Sequence, residues 1–198
     1  SKTTIISHGK SEPIIISPQE NHLQVRNDTT LEFMIDSLRE QYNIPAMAAS
    51  IIKNKQISYA VAGKNKTGCR AKSVSPLNKF HLGSNTKAIT AFIAFKMIED
   101  GQIKMNSKLI DVVPELSNIR SDYTDITLSD LLSHRAYIQP YTTGKEYEDL
   151  PEFKGNISTK RLQFANYILK KPPVQLKDQV AYLYSNAGYT LAGLMLEK

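Results

Sequence analysis

The sequence predicts an α/β fold, on three observations: an amphipathic helix ahead of a β-hairpin, a succession of helical segments in the second half, and a composition that supports a packed core. Of 198 residues, 41% are hydrophobic and 22% charged, an ordinary globular balance that excludes disorder over the whole chain. Leu31, Met34, Ile35 and Leu38 recur at helical spacing after the cap residues Asp28-Thr29-Thr30, and the pattern runs to Tyr42 before Pro45 stops it. Two runs of small and β-branched residues, Ala46 to Ile52 and Gln56 to Ala62, flank Lys53-Asn54-Lys55 and end at Gly63, the pattern of a hairpin.

Residues 1–30 read as a polar lead-in whose one apolar clump, Ile14-Ile15-Ile16, sits between Pro13 and Pro18 and suits a short edge strand. Residues 64–79 form a polar loop that returns the chain to the short run Lys79 to Gly83. A helix follows from about Ser84 to Asp100, with Ile89, Phe92, Ile93 and Met97 on one stripe and Gly101 where a left-handed cap is wanted. Leu109 to Leu116 is short and interrupted by Pro114. Thr127-Leu128-Ser129-Asp130 has the form of a capping box for a brief helix reaching His134. Residues 135–157 lack periodicity and carry Pro140, Gly144, Pro151 and Gly155, a long excursion of the kind that serves function. Further helices are expected over Thr159 to Leu169, ended by Pro172-Pro173, and over Asn186 to Lys198, with Leu191, Leu194 and Met195 on one face.

Several function classes are disfavoured. The formal net charge is +6, but the basic residues are scattered and the longest runs are pairs such as Lys170-Lys171, which fits a solvated surface better than a nucleic-acid interface. No apolar run approaches the ~20 residues of a membrane span, and Ser1-Lys2-Thr3-Thr4 is not followed by a signal-peptide stretch. The single cysteine, Cys69, makes no intrachain disulfide. His8, His22, His81 and His134 are too dispersed for a local metal cluster, so no metal or cofactor is expected. Gly63 to Gly68 has phosphate-loop spacing, yet Cys69-Arg70 stands where Lys and Ser or Thr would touch phosphate. A triad through His81 or His134 lacks the strained serine elbow it would need.

What remains is Ser-x-x-Lys. With 17 Ser and 19 Lys, chance alone supplies about 1.6 such pairs, and the chain has three: Ser7/Lys10, Ser50/Lys53 and Ser84/Lys87. Position separates them, because residues three apart share a helix face but point to opposite faces of a strand. Ser50/Lys53 falls on the hairpin and Ser7/Lys10 in the polar lead-in. Ser84 stands at a helix start with Lys87 one turn on. There the helix dipole favours an oxyanion, and a desolvated lysine could take the serine proton. The alternative is that Ser84 is a helix cap and Lys87 a solvated side chain. Tyr184-Ser185-Asn186, the one Tyr-x-Asn in the chain, opens the last helix. Its phenol can move a proton and its amide can both donate to and accept from a substrate.

These landmarks come in an order that resembles the serine β-lactamase-related hydrolases, closest to the branch of class C β-lactamases, D-alanyl-D-alanine carboxypeptidases and esterases. The residues concerned are Phe80 to Thr90, Ile98-Glu99-Asp100-Gly101-Gln102-Ile103, Asp111 to Leu116, Ile126 to His134, and Tyr184 to Tyr189 with Leu191-Ala192-Gly193-Leu194. The resemblance covers roughly residues 30–198. It implies a β-lactamase/transpeptidase-like fold: an antiparallel sheet flanked by helices, plus a helical region. The N-terminal part of the sheet domain would lie over 31–83, and the nucleophile helix and helical region over 84–198.

It also implies Ser84 as nucleophile, Lys87 and Tyr184 as proton carriers, and Asn186 as a substrate-binding amide, with Ser185 outside the chemistry. The substrate would be a small molecule or peptide with an ester or amide carbonyl: a β-lactam, a D-amino-acid peptide or a small ester. The implied setting is extracytoplasmic. Two departures stand out. The family usually follows the His134 position with Thr-Ser-Gly, whereas Arg135-Ala136-Tyr137 stands here, which is expected to remodel the loop; and Lys177-Asp178 replaces the usual Pro-Gly. The family's third motif, Lys or His then Thr or Ser and Gly, lies on a later strand that supplies one oxyanion N–H group. This chain ends 12 residues after Asn186. The C-terminal strands are therefore expected to be missing from it, the chain alone to be inactive, and a second chain or self-association to complete the sheet. The rival expectation is a penicillin-binding-like scaffold that has lost turnover.

Overall fold

The computed structural model describes residues 24–66, 68, 70–175 and 182–198. The Ile14–Ile16 clump, Ser7/Lys10, Cys69 and Lys177-Asp178 lie outside the described residues. The chain divides into two compact units, residues 1–81 and 82–198.

In the first unit, strand β1 (Gln24–Asn27) precedes helix α1 (Thr29–Gln41), and β2 (Ala46–Lys53) and β3 (Gln56–Gly63) follow. Asp28 caps α1 from an extended backbone by accepting the Leu31 N–H at 3.0 Å, a contact worth about 1 kcal/mol. The hairpin turns through Asn54 and Lys55, whose φ values of 50° and 64° are both left-handed. Such a two-residue turn matches the right-handed twist of its strands. β2 and β3 are antiparallel, with Ala46 opposite Gly63 and Lys53 opposite Gln56.

β1 corrects one expectation, since the sheet is mixed rather than antiparallel, and it places an edge strand at residues 24–27. β1 pairs with β3 in parallel, giving the order β1-β3-β2. Its four side chains are all exposed, so no apolar alternation marks it in the sequence, and it is held by the main-chain ladder. Asp28 N–H extends that ladder by donating to Tyr59 O at 2.9 Å.

The core of this unit is small. Ala60 and Ala62 of β3 lie against Ile35 of α1, with Leu31, Met47 and Ala49 around them, and the alanines let helix and sheet approach closely. Met34 and Leu38 of the predicted stripe stay exposed. Gly63 closes β3 with φ +96°, and a Cβ there would lie 2.2 Å from Pro45 O and 2.6 Å from Arg39 Cδ. Gly63→Ala is therefore expected to destabilise the protein by about 3 kcal/mol, read as a fall in the urea midpoint of the full-length protein.

The second unit is helical: a 3₁₀ turn (Gly83–Asn85), α2 (Thr86–Glu99), α3 (Leu109–Val112), α4 (Leu128–Leu132), α5 (Lys145–Glu148), α6 (Ile157–Ile168) and α7 (Asn186–Leu196). α7 packs against α4 and α6. The predicted face of α7 is its buried face, with Leu191, Leu194 and Met195 each at 1% exposure or less, and full burial of such a side chain contributes about 1.5–3 kcal/mol. The capping box is present at α4: Thr127 Oγ1 accepts the Asp130 N–H at 3.2 Å and Asp130 Oδ2 accepts the Thr127 N–H at 3.0 Å. Gly101 follows α2 with φ +73°, the left-handed residue expected there.

α2 behaves differently from a one-sided surface helix. Ala94 is its one buried residue, Met97 and Ile98 pack against the core, and Ile89, Phe92, Ile93 and Phe95 are exposed, Phe92 at 71%. A helix apolar on all sides is suited to burial on all sides. The 135–157 excursion contains α5 and two non-glycine residues in the left-handed region, Tyr137 and Tyr141, and His134 just before it is a third. No helix among the described residues is long and apolar enough to cross a membrane.

Candidate active site

Ser84 lies in the 3₁₀ turn that leads into α2, behind Gly83 with φ +55°. The turn is closed by Asn85 N–H donating to Leu82 O at 3.2 Å. The cap position of α2 falls on Asn85, which makes no side-chain cap bond, so Ser84 is not the cap that the alternative reading required. Its hydroxyl is free of main-chain duty and sits beside the positive end of the α2 dipole.

Lys87 is in the first turn of α2, and its ammonium donates to Ser84 Oγ at 3.1 Å and to Asn186 Oδ1 at 2.7 Å. Tyr184 OH donates to Ser84 Oγ at 2.7 Å. The Lys87 ammonium also stands 4.8 Å from the centre of the Tyr184 ring and 5.6 Å from that of Tyr189. All four residues named from the sequence, Ser84, Lys87, Tyr184 and Asn186, thus meet within one hydrogen-bonded cluster. Hydrogen bonding by the Lys87 ammonium, then by Ser84, holds the Tyr184 phenol below its ordinary value against a smaller opposing effect of burial.

Asn186 is oriented by its second contact, because its Nδ2 donates to Tyr141 O at 2.7 Å while its backbone N–H donates to Pro140 O at 2.8 Å. With the NH₂ end committed, the amide oxygen faces Lys87. The Ser185 hydroxyl is engaged by the main chain. It caps α7 by accepting the Gly188 N–H at 2.9 Å and donates to Gln139 O at 2.9 Å. Ser50 and Lys53 both lie on β2, where their spacing sends them to opposite faces.

The matching family model is that of the β-lactamases, over residues 31–198. The chain belongs to the β-lactamase family. It is 25% identical over 178 residues to protein flp of Staphylococcus aureus (strain NCTC 8325 / PS 47), which covers 89% of this chain and 34% of that protein. Against the unguisins hydrolase ungD' of Aspergillus campestris the identity is 23% over 169 residues, covering 80% and 29%. Among solved structures, a class C β-lactamase in complex with cefoxitin aligns with a TM-score of 0.63 at 21% identity, covering 85% of this chain and 43% of that one. A class C β-lactamase from Rhodobacter sphaeroides aligns with a TM-score of 0.61 at 20% identity, covering 84% and 42%. The β-lactamase/transpeptidase-like fold is therefore shown, and the chain spans about a third of the curated relatives and two-fifths of the solved structures.

Beside this cluster, Tyr137, the third residue after His134, takes φ +51°, a left-handed backbone of the kind glycine favours. Residues that sequence reasoning did not assign to the site also emerge. The main-chain carbonyl of Tyr141 orients Asn186. The Tyr141 backbone is left-handed, with φ +50°, and its carbonyl accepts a second bond from Tyr147 OH at 2.6 Å. No side-chain pattern signals a carbonyl acceptor. His134, in the sequence a landmark and a disfavoured triad histidine, packs 4.5 Å from Tyr184 and 5.0 Å from Tyr189, ring centre to ring centre.

Proposed function

We propose that the protein is a serine hydrolase that cleaves an ester or amide carbonyl through an acyl-enzyme on Ser84. The observation that carries this reading is the convergence of Lys87 and Tyr184 on one hydroxyl, at 3.1 Å and 2.7 Å. In the reactive form the Tyr184 hydrogen bond is reversed: the phenolate, favoured by the Lys87 ammonium, accepts the Ser84 proton as Oγ bonds to the carbonyl carbon and the carbonyl electron pair moves to oxygen. Collapse of that tetrahedral species breaks the bond to the leaving group, which takes the proton from Tyr184. Water then adds to the acyl-enzyme by the same proton path and releases the acid. Asn186, with Oδ1 on Lys87 and its amide held by Tyr141 O, steadies the ammonium between the two hydroxyls.

Family membership supports acyl transfer, and the candidate substrates are a β-lactam, a D-amino-acid peptide or a small ester. The test is covalent labelling. A fluorescent penicillin and a fluorophosphonate, applied to the full-length protein, are expected to leave an adduct on the peptide Phe80 to Lys87. An adduct at another serine, or none with either probe, would overturn the reading.

A further inference from the structure

Tyr184 reaches Ser84 from irregular chain: residues 182–185 precede α7 and belong to no helix or strand, so no regular element aims the phenol. On both sides of Tyr184 the main chain is bonded to a single residue. Leu183 N–H donates to the His134 carbonyl at 2.8 Å, and Ser185 N–H donates to His134 Nδ1 at 3.1 Å. Between those two bonds the imidazole lies 4.5 Å from the Tyr184 ring with the planes at 37°. His134 is itself fixed. It follows α4 with φ +61°, its N–H donates to Leu131 O at 3.4 Å, and Tyr189 packs on it at 5.0 Å while donating its OH to Leu132 O at 3.0 Å.

We propose that His134 is a positioning residue for Tyr184: its carbonyl and its Nδ1 accept the main-chain N–H groups on either side of that residue and so clamp the phenol towards Ser84. This rests on the acyl-transfer reading above. The groups facing the imidazole are the Tyr184 and Tyr189 phenols and the Lys87 ammonium. Because Nδ1 accepts a bond, the neutral ring carries its proton on Nε2, and protonation would set an N–H against the Ser185 N–H and release the clamp. Burial first, and Lys87 second, hold His134 below its ordinary value. The clamp is therefore complete above the ordinary histidine range and is lost as pH falls through the lowered value.

The deciding experiment compares His134→Asn and His134→Gly in the full-length protein. Both substitutions tolerate the left-handed backbone, but only asparagine keeps an acceptor near Nδ1. His134→Gly is expected to lower kcat by about 10- to 100-fold with little change in KM, the scale of a misplaced reacting group. His134→Asn is expected to stay within about 3-fold of wild type and to lose the acid-side fall in rate that neutral-to-charged His134 produces. A second readout does not need turnover: carbon-13 labelling at tyrosine Cζ, with the Tyr184 resonance identified by its absence in Tyr184→Phe. Tyr184 ionisation should move up towards that of an ordinary phenol in His134→Gly and stay low in His134→Asn. If His134→Gly leaves both rate and Tyr184 ionisation unchanged, or if His134→Asn is as impaired as His134→Gly, His134 does not position Tyr184. A wild-type protein with no Ser84-dependent acylation would instead overturn the hydrolase reading, and the Tyr184 resonance would still decide the clamp.

Discussion

Ser84→Ala is expected to abolish the covalent adduct and to lower hydrolysis of nitrocefin or a p-nitrophenyl ester by about 10⁵-fold or more, since it removes the atom that forms the acyl bond. The fold should not follow. Ser84 is exposed, its side chain caps no helix, and surface changes of that kind stay within about 0.5 kcal/mol. The variant therefore separates loss of chemistry from loss of structure, with unchanged urea unfolding as the control. It also separates hydrolysis from the scaffold alternative, which expects ligand binding without an adduct and no difference between Ser84→Ala and the wild type. A Ser84→Ala protein that is still labelled would show that another nucleophile carries the reaction.

How much of this was legible in the sequence depends on how local each signal is. Ser84 and Lys87 are three apart on a helix start, so helix geometry alone puts them together, and the 3.1 Å contact is short-range information. Tyr184 and Asn186 bracket a capping serine, and the buried face of α7 was readable from Leu191, Leu194 and Met195. That these two segments meet, about 100 residues apart, was carried by the family landmarks and not by any periodicity. β1 was invisible because a parallel edge strand with four exposed side chains leaves no apolar pattern. The exposure of Ile89, Phe92 and Ile93 was likewise beyond a reading of α2 as one stripe, since the helix is apolar on every side. The His134 clamp uses a carbonyl, a ring nitrogen and a left-handed backbone at a non-glycine residue, none of which a single sequence displays.

Lys87→Ala and Tyr184→Phe are expected to cost about 10²-fold or more each, with Lys87→Ala at least as damaging. Tyr184→Phe deletes one oxygen and leaves the ring against His134, so Ser84 keeps the Lys87 contact but loses the 2.7 Å partner that takes its proton. Lys87→Ala removes two things at once. The ammonium on Ser84 is gone, and so is the main cause of the lowered Tyr184 phenol. In wild type the rate should rise with pH as Tyr184 ionises through its lowered value. In Lys87→Ala that rise should move to higher pH, towards an ordinary phenol, and in Tyr184→Phe it should disappear. Because one residue acts largely through the other, the losses should not multiply, and the double variant should be close to Lys87→Ala alone. Steady-state rates with a p-nitrophenyl ester across the pH range check all three statements. Near wild-type rates in both single variants, or a double variant slower by the product of the two losses, would mean that Ser84 is activated by some other base.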